Sequence, residues 1–417
     1  MPRKPIANVV WNVLREPALH LTAYDGSSAG PEDATVRADL RSPAALTYLL
    51  TAPSSLGLAR AYVSGELEIG GDLYEMLQLV WNDRIGSLSW ADRIDVLRNI
   101  DPKALRWIDP PQEEFHARRW RQGFRHSKAR DAAAISHHYD VSNRFYEWVL
   151  GPSMTYTCAC FPTPSASLEE AQEHKYDLVA RKIGLEPGMR LLDVGCGWGG
   201  MVRHTAKHYG VRALGVTLSR QQAEWAAKAI AEDGLTDLAE VRYCDYRDVR
   251  EDNFDAVSSI GLTEHIGAAN LPAYFGFLRS KLRPQGRLLN HCITRPTTTE
   301  AVRIRGFIDR YVFPDGELEA VGAIVTAMQD AGLEVRHEEN LREHYAQTLR
   351  GWCDNLSAHW DEVVDEVGVG RARVWAMYMA GSRLGFERRT IELHQVLGVR
   401  VDEHGEAGMP LRPDWGT

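Results

Sequence analysis

The chain has 417 residues, 44% hydrophobic and 25% charged, with a formal net charge of −9. That length exceeds one ordinary core, so two domains are expected, and the composition is that of a globular protein, not a disordered or fibrous one. The negative balance argues against nucleic acid as a partner. No apolar run reaches the ~18 residues of a membrane span and no signal-peptide core opens the chain, so a cytoplasmic location is expected.

Residues 1–101 read as a smaller, mostly helical N-terminal domain. Ser42 before Pro43 is a helix N-cap with proline at the first helical position. It starts a helix over 44–50, which Pro53 ends. Residues 56–62 and 73–81 read as further helices, and 62–72 as a turn with a short extended piece. No catalytic constellation falls here; dimerisation, lipid contact and scaffolding stay open. Residues 102–134 read as a linker interrupted by Pro102, Pro110 and Pro111. Within it, His116 to Arg130 interleaves arginines with Trp120 and Phe124. Cations and interfacial aromatics suit an anionic membrane surface, and a solvated linker accounts for the stretch equally well.

Residues 135–417 read as the catalytic domain. A short amphipathic helix passes through Phe145, Tyr146 and Trp148, and a longer one covers 169–183. Strands are predicted over 191–194, 213–216, 239–243, 254–260 and 286–292, with helices over 221–233 and 271–281. Such alternation implies an α/β fold with a mainly parallel sheet covered on both faces. A helix to 331, a strand-like 333–335 and a helical stretch over 372–388 follow, and the tail from Asp402 is expected to be loose. Six cysteines in this length make no disulfide framework. Cys158 and Cys160 have no second pair at zinc spacing, so no metal is expected.

The chemistry centres on Leu191 to Gly200, an apolar strand running into a glycine-rich turn and a helix. Glycines reach positive φ and allow close approach of a ligand, and the helix start offers free N–H groups. Gly195, Gly197 and Gly200 satisfy G-x-G-x-x-G, which alone is weak evidence for a dinucleotide. The next strand ends in Thr217-Leu218-Ser219 instead of an acid, which argues against NAD. Ligands bind at the carboxyl ends of parallel strands, so Gly195, Thr217, Asp245, Glu264 and His291 should share one cleft.

Leu191–Gly199 followed by Thr217–Gln222 resembles a class I S-adenosylmethionine methyltransferase. A wider set narrows the likeness: His138-Tyr139-Asp140, Tyr156-Thr157-Cys158-Ala159, Glu264-His265-Ile266-Gly267, His291-Cys292-Ile293, Phe313-Pro314-Asp315-Gly316 and His344-Tyr345-Ala346-Gln347-Thr348-Leu349. Together these resemble the cyclopropane-fatty-acyl-phospholipid synthase family over roughly residues 130–395. Residues 65–69 and the linker resemble its longer two-domain bacterial members. The family includes an actinobacterial branch that methylenates oleoyl chains toward 10-methylstearate (tuberculostearate).

The resemblance implies a Rossmann-like fold and an enzyme that moves a methyl carbon from S-adenosylmethionine to the cis double bond of a phospholipid acyl chain. The resulting carbocation becomes a cyclopropane or a 10-methylene stearoyl chain. By the same resemblance, Tyr156, Thr157, Asp193, Gly195, Gly197, Thr217, Gln222, Asp245 and Tyr246 contact the donor. The resemblance also implies a bicarbonate held by the backbone region of Cys158 and by Glu264, His291, Ile293 and Tyr345. Aromatic faces stabilise a cation without attacking it, and Tyr139, Phe145, Tyr146, Tyr345 and Tyr378 could supply them, Tyr139 and Tyr345 also lying in the family motifs. Peripheral association with the inner membrane face, a homodimer and, for a methylene product, a partner reductase are also expected. Ser382 stands where many relatives carry cysteine, and Glu147 is a further carboxylate beside the aromatics. A methyltransferase of small metabolites and a non-catalytic lipid-binding protein are the rival readings.

Overall fold

The computed structural model describes residues 4–14, 18–52, 55–80, 94, 98–99, 108–114, 141–299, 304, 306–314 and 316–416. The basic stretch 116–130 and Tyr139 therefore lie outside the described residues. The chain forms two compact units, each discontinuous in sequence.

The smaller unit begins with α1 (Ile6–Leu14), β1 (Leu19–Ala23), β2 (Ser28–Ala29), β3 (Val36–Leu40), α2 (Pro43–Thr51), α3 (Ser55–Val63), β4 (Leu67–Gly70) and α4 (Leu73–Val80). Ser42 caps α2 as predicted, its Oγ accepting from the Ala44 N–H at 3.0 Å. The expectation of a mostly helical domain overlooked a sheet, ordered β2-β1-β3-β4. Strands β1 and β3 do alternate buried and less buried residues. Each is only five residues long, and alanines at 23 and 38 blunt the apolar alternation that marks a strand.

The larger unit contains α5 (Asn143–Leu150), α6 (Leu168–Ile183), β5 (Arg190–Val194), α7 (Gly200–Tyr209), β6 (Arg212–Thr217), α8 (Arg220–Glu232), β7 (Ala239–Tyr243), β8 (Phe254–Ile260), α9 (Leu271–Lys281), β9 (Leu282–Thr294), α10 (Val321–Asp330), β10 (Glu334–Asn340) and α11 (Arg342–Ala358). Its seven-stranded sheet is ordered β10-β11-β9-β8-β5-β6-β7, with β11 at Glu392–Val399. Five neighbours, β9-β8-β5-β6-β7, run parallel, and β11 is antiparallel to both β9 and β10. Alternation along β5 sends Leu192 and Val194 into one core cluster and Leu191 into another, as a sheet covered on both faces requires. Strand order reverses beside β5, which places a crevice at its carboxyl end.

Strand β11 was not foreseen. All eight of its residues are buried, so no polar face alternates with an apolar one. The tail after it, expected to be loose, is pinned: Gln285 Nε2 donates to Asp402 Oδ2 at 2.7 Å and Arg287 donates to the Gly408 carbonyl at 3.0 Å.

Residues 305–314 and 359–384 return to the smaller unit, the latter carrying α12 (Trp360–Val367) and most of α13 (Val369–Glu387). Arg373 of α13 donates to the Tyr62 carbonyl at 3.0 Å and pairs with Glu68. Arg60 makes a two-pronged bond to Glu114 at 2.7 and 2.8 Å. Ser382 lies on α13 beside Arg383, whose guanidinium sits 3.6 Å from the Tyr74 ring centroid. Among the described residues, no helix is long and apolar enough to cross a membrane.

Candidate active site

At the end of β5 the chain turns through Gly195, Gly197 and Gly199 at φ +76°, +55° and +78°. The N–H groups of Gly195 and Cys196 both donate to the Val216 carbonyl, at 2.9 and 3.0 Å, which folds the turn over the end of β6. A Cβ on Gly200 would stand 2.0 Å from the Tyr176 hydroxyl, so α7 can start this close to α6 only with glycine there. The cleft over this turn has two contiguous halves of about 520 Å³ each, open mouth included. Tyr156, Thr157, Lys175, Asp193 and Trp198 line one half. Thr217, Leu218, Tyr246 and Leu262 line the other, and Gly195, Gly197 and Gln222 belong to both.

Most residues expected to contact the donor thus converge. Thr217 Oγ1 donates to Gln222 Oε1 at 2.8 Å, leaving the Gln222 amide nitrogen as that side chain's donor group. Asp245 stands at the same strand ends, but its carboxylate accepts from the backbone, Nε and Nη2 of Arg247 at 2.6–2.9 Å. Glu147 accepts from Trp225 Nε1 at 3.3 Å, a surface contact.

The cleft also holds a residue the sequence reading missed. Lys175 is fully buried, and its ammonium donates to Thr157 Oγ1 at 2.9 Å. Burial pulls it down to about 8. Asp193, 3% exposed, accepts from Ser258 Oγ at 2.7 Å, and burial pushes it up to about 6. Lys175 and Lys182 sit two turns apart among the buried residues of α6, with Val179 between them. Lysine on the apolar stripe of a helix is the signal that would have flagged both.

Beyond the cleft, Glu264 follows β8 on a short 3₁₀ turn. Its Oε1 accepts the Ile293 N–H at 2.6 Å, while its Oε2 is out of solvent with no partner among the described residues. Burial pushes this carboxyl up to about 7. His291 is two residues before Ile293 on β9 and opposite Ile260 of β8. Its Nδ1 faces Gln395 Nε2 at 3.2 Å, its Nε2 is likewise buried without a partner among the described residues, and burial pulls the ring well below the ordinary histidine range.

Cys158 is fully buried, and burial pushes its thiol well above the ordinary value, so it is no thiolate nucleophile. The neighbouring Ala159 N–H donates to Thr348 Oγ1 at 3.0 Å, one turn along α11 from Tyr345. Tyr345 reaches the cleft through a row of rings. Its centroid is 6.0 Å from that of Trp352; Trp352 is 5.3 Å from Tyr156, Tyr156 6.0 Å from Tyr146, and Tyr146 4.7 Å from Trp198.

A glycine-rich cleft at the reversal point, in a seven-stranded sheet whose parallel strands are followed by antiparallel β11, is the architecture of a class I methyltransferase, and the solved neighbours share it. Residues 126–396 match the family model for mycolic acid cyclopropane synthetase, and the chain belongs to that family. It is 58% identical over 406 residues, 95% of this chain and 94% of the other, to a probable fatty acid methyltransferase of Mycobacterium tuberculosis. It is 33% identical over 279 residues, 67% and 71% of the two chains, to the cyclopropane-fatty-acyl-phospholipid synthase of Escherichia coli K12. A mycolic acid cyclopropane synthase solved with SAH and CTAB superposes with a TM-score of 0.61 at 30% identity, covering 64% of this chain and 98% of the other.

Proposed function

We propose that the chain transfers a methyl carbon from S-adenosylmethionine to the cis double bond of an oleoyl-type acyl chain in a membrane phospholipid. The observation that carries this reading is the row of rings from Trp198 and Tyr156, on the cleft wall, through Trp352 to Tyr345. An isolated alkene is a weak nucleophile, so it needs a donor as electrophilic as a sulfonium methyl. As the carbon–sulfur bond breaks and a carbon–carbon bond forms, positive charge develops on the neighbouring chain carbon. Aromatic faces stabilise that charge without adding to it, and their bulk keeps out water that would trap it.

The cation then loses a proton. Loss from the new methyl with ring closure gives a cyclopropane; a hydride shift followed by the same loss gives a methylene branch. Glu264 Oε2 and His291 Nε2, both buried and without a partner among the described residues, fit a small oxyanion such as bicarbonate, which would supply the proton acceptor. On this reading the basic stretch 116–130 meets the anionic membrane surface.

The test incubates the protein with vesicles of dioleoyl phosphatidylglycerol and methyl-labelled S-adenosylmethionine, then analyses the fatty acids by mass spectrometry. Label in a fatty acid one carbon heavier is expected; its absence from every fatty acid overturns the proposal.

A further inference from the structure

We propose that Lys182 and Gln395 are positioning residues that hold His291 as the neutral tautomer with its proton on Nε2, so that His291 serves the site as a hydrogen-bond donor and not as its base. The argument is one of donor and acceptor counting. Lys182 of α6 is fully buried; its ammonium pairs with the Glu339 carboxylate and donates to Gln395 Oε1 at 2.7 Å. An ammonium has three donors and no acceptor, so the amide atom facing it must be the oxygen. Reversing the amide would set donor against donor in a dry interior, where an unsatisfied polar group is costly.

The amide nitrogen of Gln395 therefore faces the other way, onto His291 Nδ1 at 3.2 Å. An amide nitrogen only donates, so Nδ1 must accept, and the proton of the neutral ring must sit on Nε2. Strand register builds this relay: Gln395 of β11 lies directly opposite His291 of β9. A doubly protonated ring would turn an Nδ1–H against the amide, with the buried charges of Lys175 and Lys182 also opposing it. Burial pulls Lys182 below the ordinary lysine range, and the bond to the Glu339 carboxylate opposes that shift, favouring the charged form that orients the amide.

The consequence concerns the division of labour. The unpartnered Nε2 presents an N–H to whatever oxygen occupies the site, and proton removal falls to Glu264 or to the anion. That role rests on the acyl-methylation reading above; the tautomer does not.

The test labels histidine with ¹⁵N and reads the His291 ring by long-range proton–nitrogen correlation. The native chain should show a pyridine-like Nδ1 and a protonated Nε2 from about pH 6 to about pH 9. In Gln395→Glu, a carboxylate accepts from Lys182 on one side and from the ring on the other, so the proton should move to Nδ1. Lipid methylation should then fall about 100-fold, the loss typical of a missing oxyanion donor, while S-adenosylhomocysteine affinity stays within about twofold. Lys182→Met frees the amide and should give a mixture of both tautomers, a second check should the glutamate variant fail to fold. A native ring protonated on Nδ1 overturns the proposal. So does a Gln395→Glu ring with the proton moved and turnover unchanged. If the native chain labels no lipid, the functional reading fails, and the native spectrum still decides the tautomer.

Discussion

The Ile293 backbone donates to Glu264 Oε1 at 2.6 Å, so one carboxylate oxygen anchors the turn after β8 to β9 while the other stays uncommitted. The charged form of this group is the costly one. Burial raises it from 4.5 to about 7, so between those values the folded chain binds more protons than the unfolded one. The stability that this proton contributes is complete below about pH 4.5 and is lost as pH rises through about 7. Asp193, raised from 3.8 to about 6, acts in the same direction. Glu264→Gln should therefore stabilise the chain at pH 8 by an amount of order 2 kcal/mol, and do little at pH 4. It should also cut lipid methylation by about 10²–10³. Urea unfolding of both chains at the two pH values, beside a turnover assay, checks both; a stability gain over the native chain no larger at pH 8 than at pH 4 would refute the burial argument.

Lys175 and Asp193 place a buried cation and a buried anion on one wall of the donor cleft. Neither bonds the other: Lys175 donates to Thr157 and Asp193 accepts from Ser258. An amino-acid zwitterion would satisfy both charges. Lys175→Met is expected to weaken S-adenosylhomocysteine binding about tenfold, a typical charge-assisted bond. Binding of methylthioadenosine, which lacks the amino-acid head, should be unchanged. Because burial lowers Lys175 to about 8, native affinity for S-adenosylhomocysteine should fall as pH rises past that value. Calorimetry with the two ligands separates this role from a purely structural one, which would weaken both alike.

What could be read from residue order was local. Leu191 to Gly200 stands out because a strand buried on both faces is mostly apolar, with Asp193 the exception here, and the turn after it needs positive φ, which glycine supplies cheaply. The helices at 168–183, 220–232 and 271–281 lie within a residue of their expected ends. What escaped was held by distant partners. Gln395 is 213 residues from Lys182 and 104 from His291, and nothing near it in sequence marks it as more than a polar residue in a strand. Strand β11 escaped because Glu392, His394 and Gln395 interrupt its apolar run while being buried; their hydrogen bonds, not their hydropathy, place them inside. Asp245 is expected at the donor from the family resemblance and at the cleft from its place at a strand end; neither reveals that Arg247 engages its carboxylate.

The stretch 116–130 gives a prediction independent of the site. Arg118, Arg119 and Arg121 replaced together by Glu should reduce binding to phosphatidylglycerol vesicles, by about 1 kcal/mol for each basic residue lost. Raising salt from low to physiological strength should weaken the native chain's binding and leave the variant's little changed, since screening acts on the same attraction. Affinity for S-adenosylhomocysteine should be the same in both. Vesicle sedimentation measures the first two effects, and equal sedimentation of native and variant chains would remove this stretch from the membrane reading.

Two glycines of the turn should fail in different ways when replaced by alanine. Both have positive φ, +76° at Gly195 and +55° at Gly197, so an alanine at either costs about 1 kcal/mol of backbone strain. At Gly195 the new Cβ would lie 3.2–3.3 Å from three atoms of the Leu262 side chain. That is tighter than comfortable packing in a close-packed interior, so a further loss of stability follows as Leu262 shifts. At Gly197 nothing lies within 4 Å of the new Cβ, and Gly197 lines both halves of the cleft. An added methyl there meets open space, the space a donor would fill. Gly195→Ala should therefore show the larger drop in unfolding free energy. Gly197→Ala should lose only about 1 kcal/mol of stability but bind S-adenosylhomocysteine at least about tenfold more weakly, a difference of about 1.4 kcal/mol. Chemical denaturation and calorimetry on the two variants provide the comparison. Native affinity in Gly197→Ala would mean that the donor does not lie over this turn.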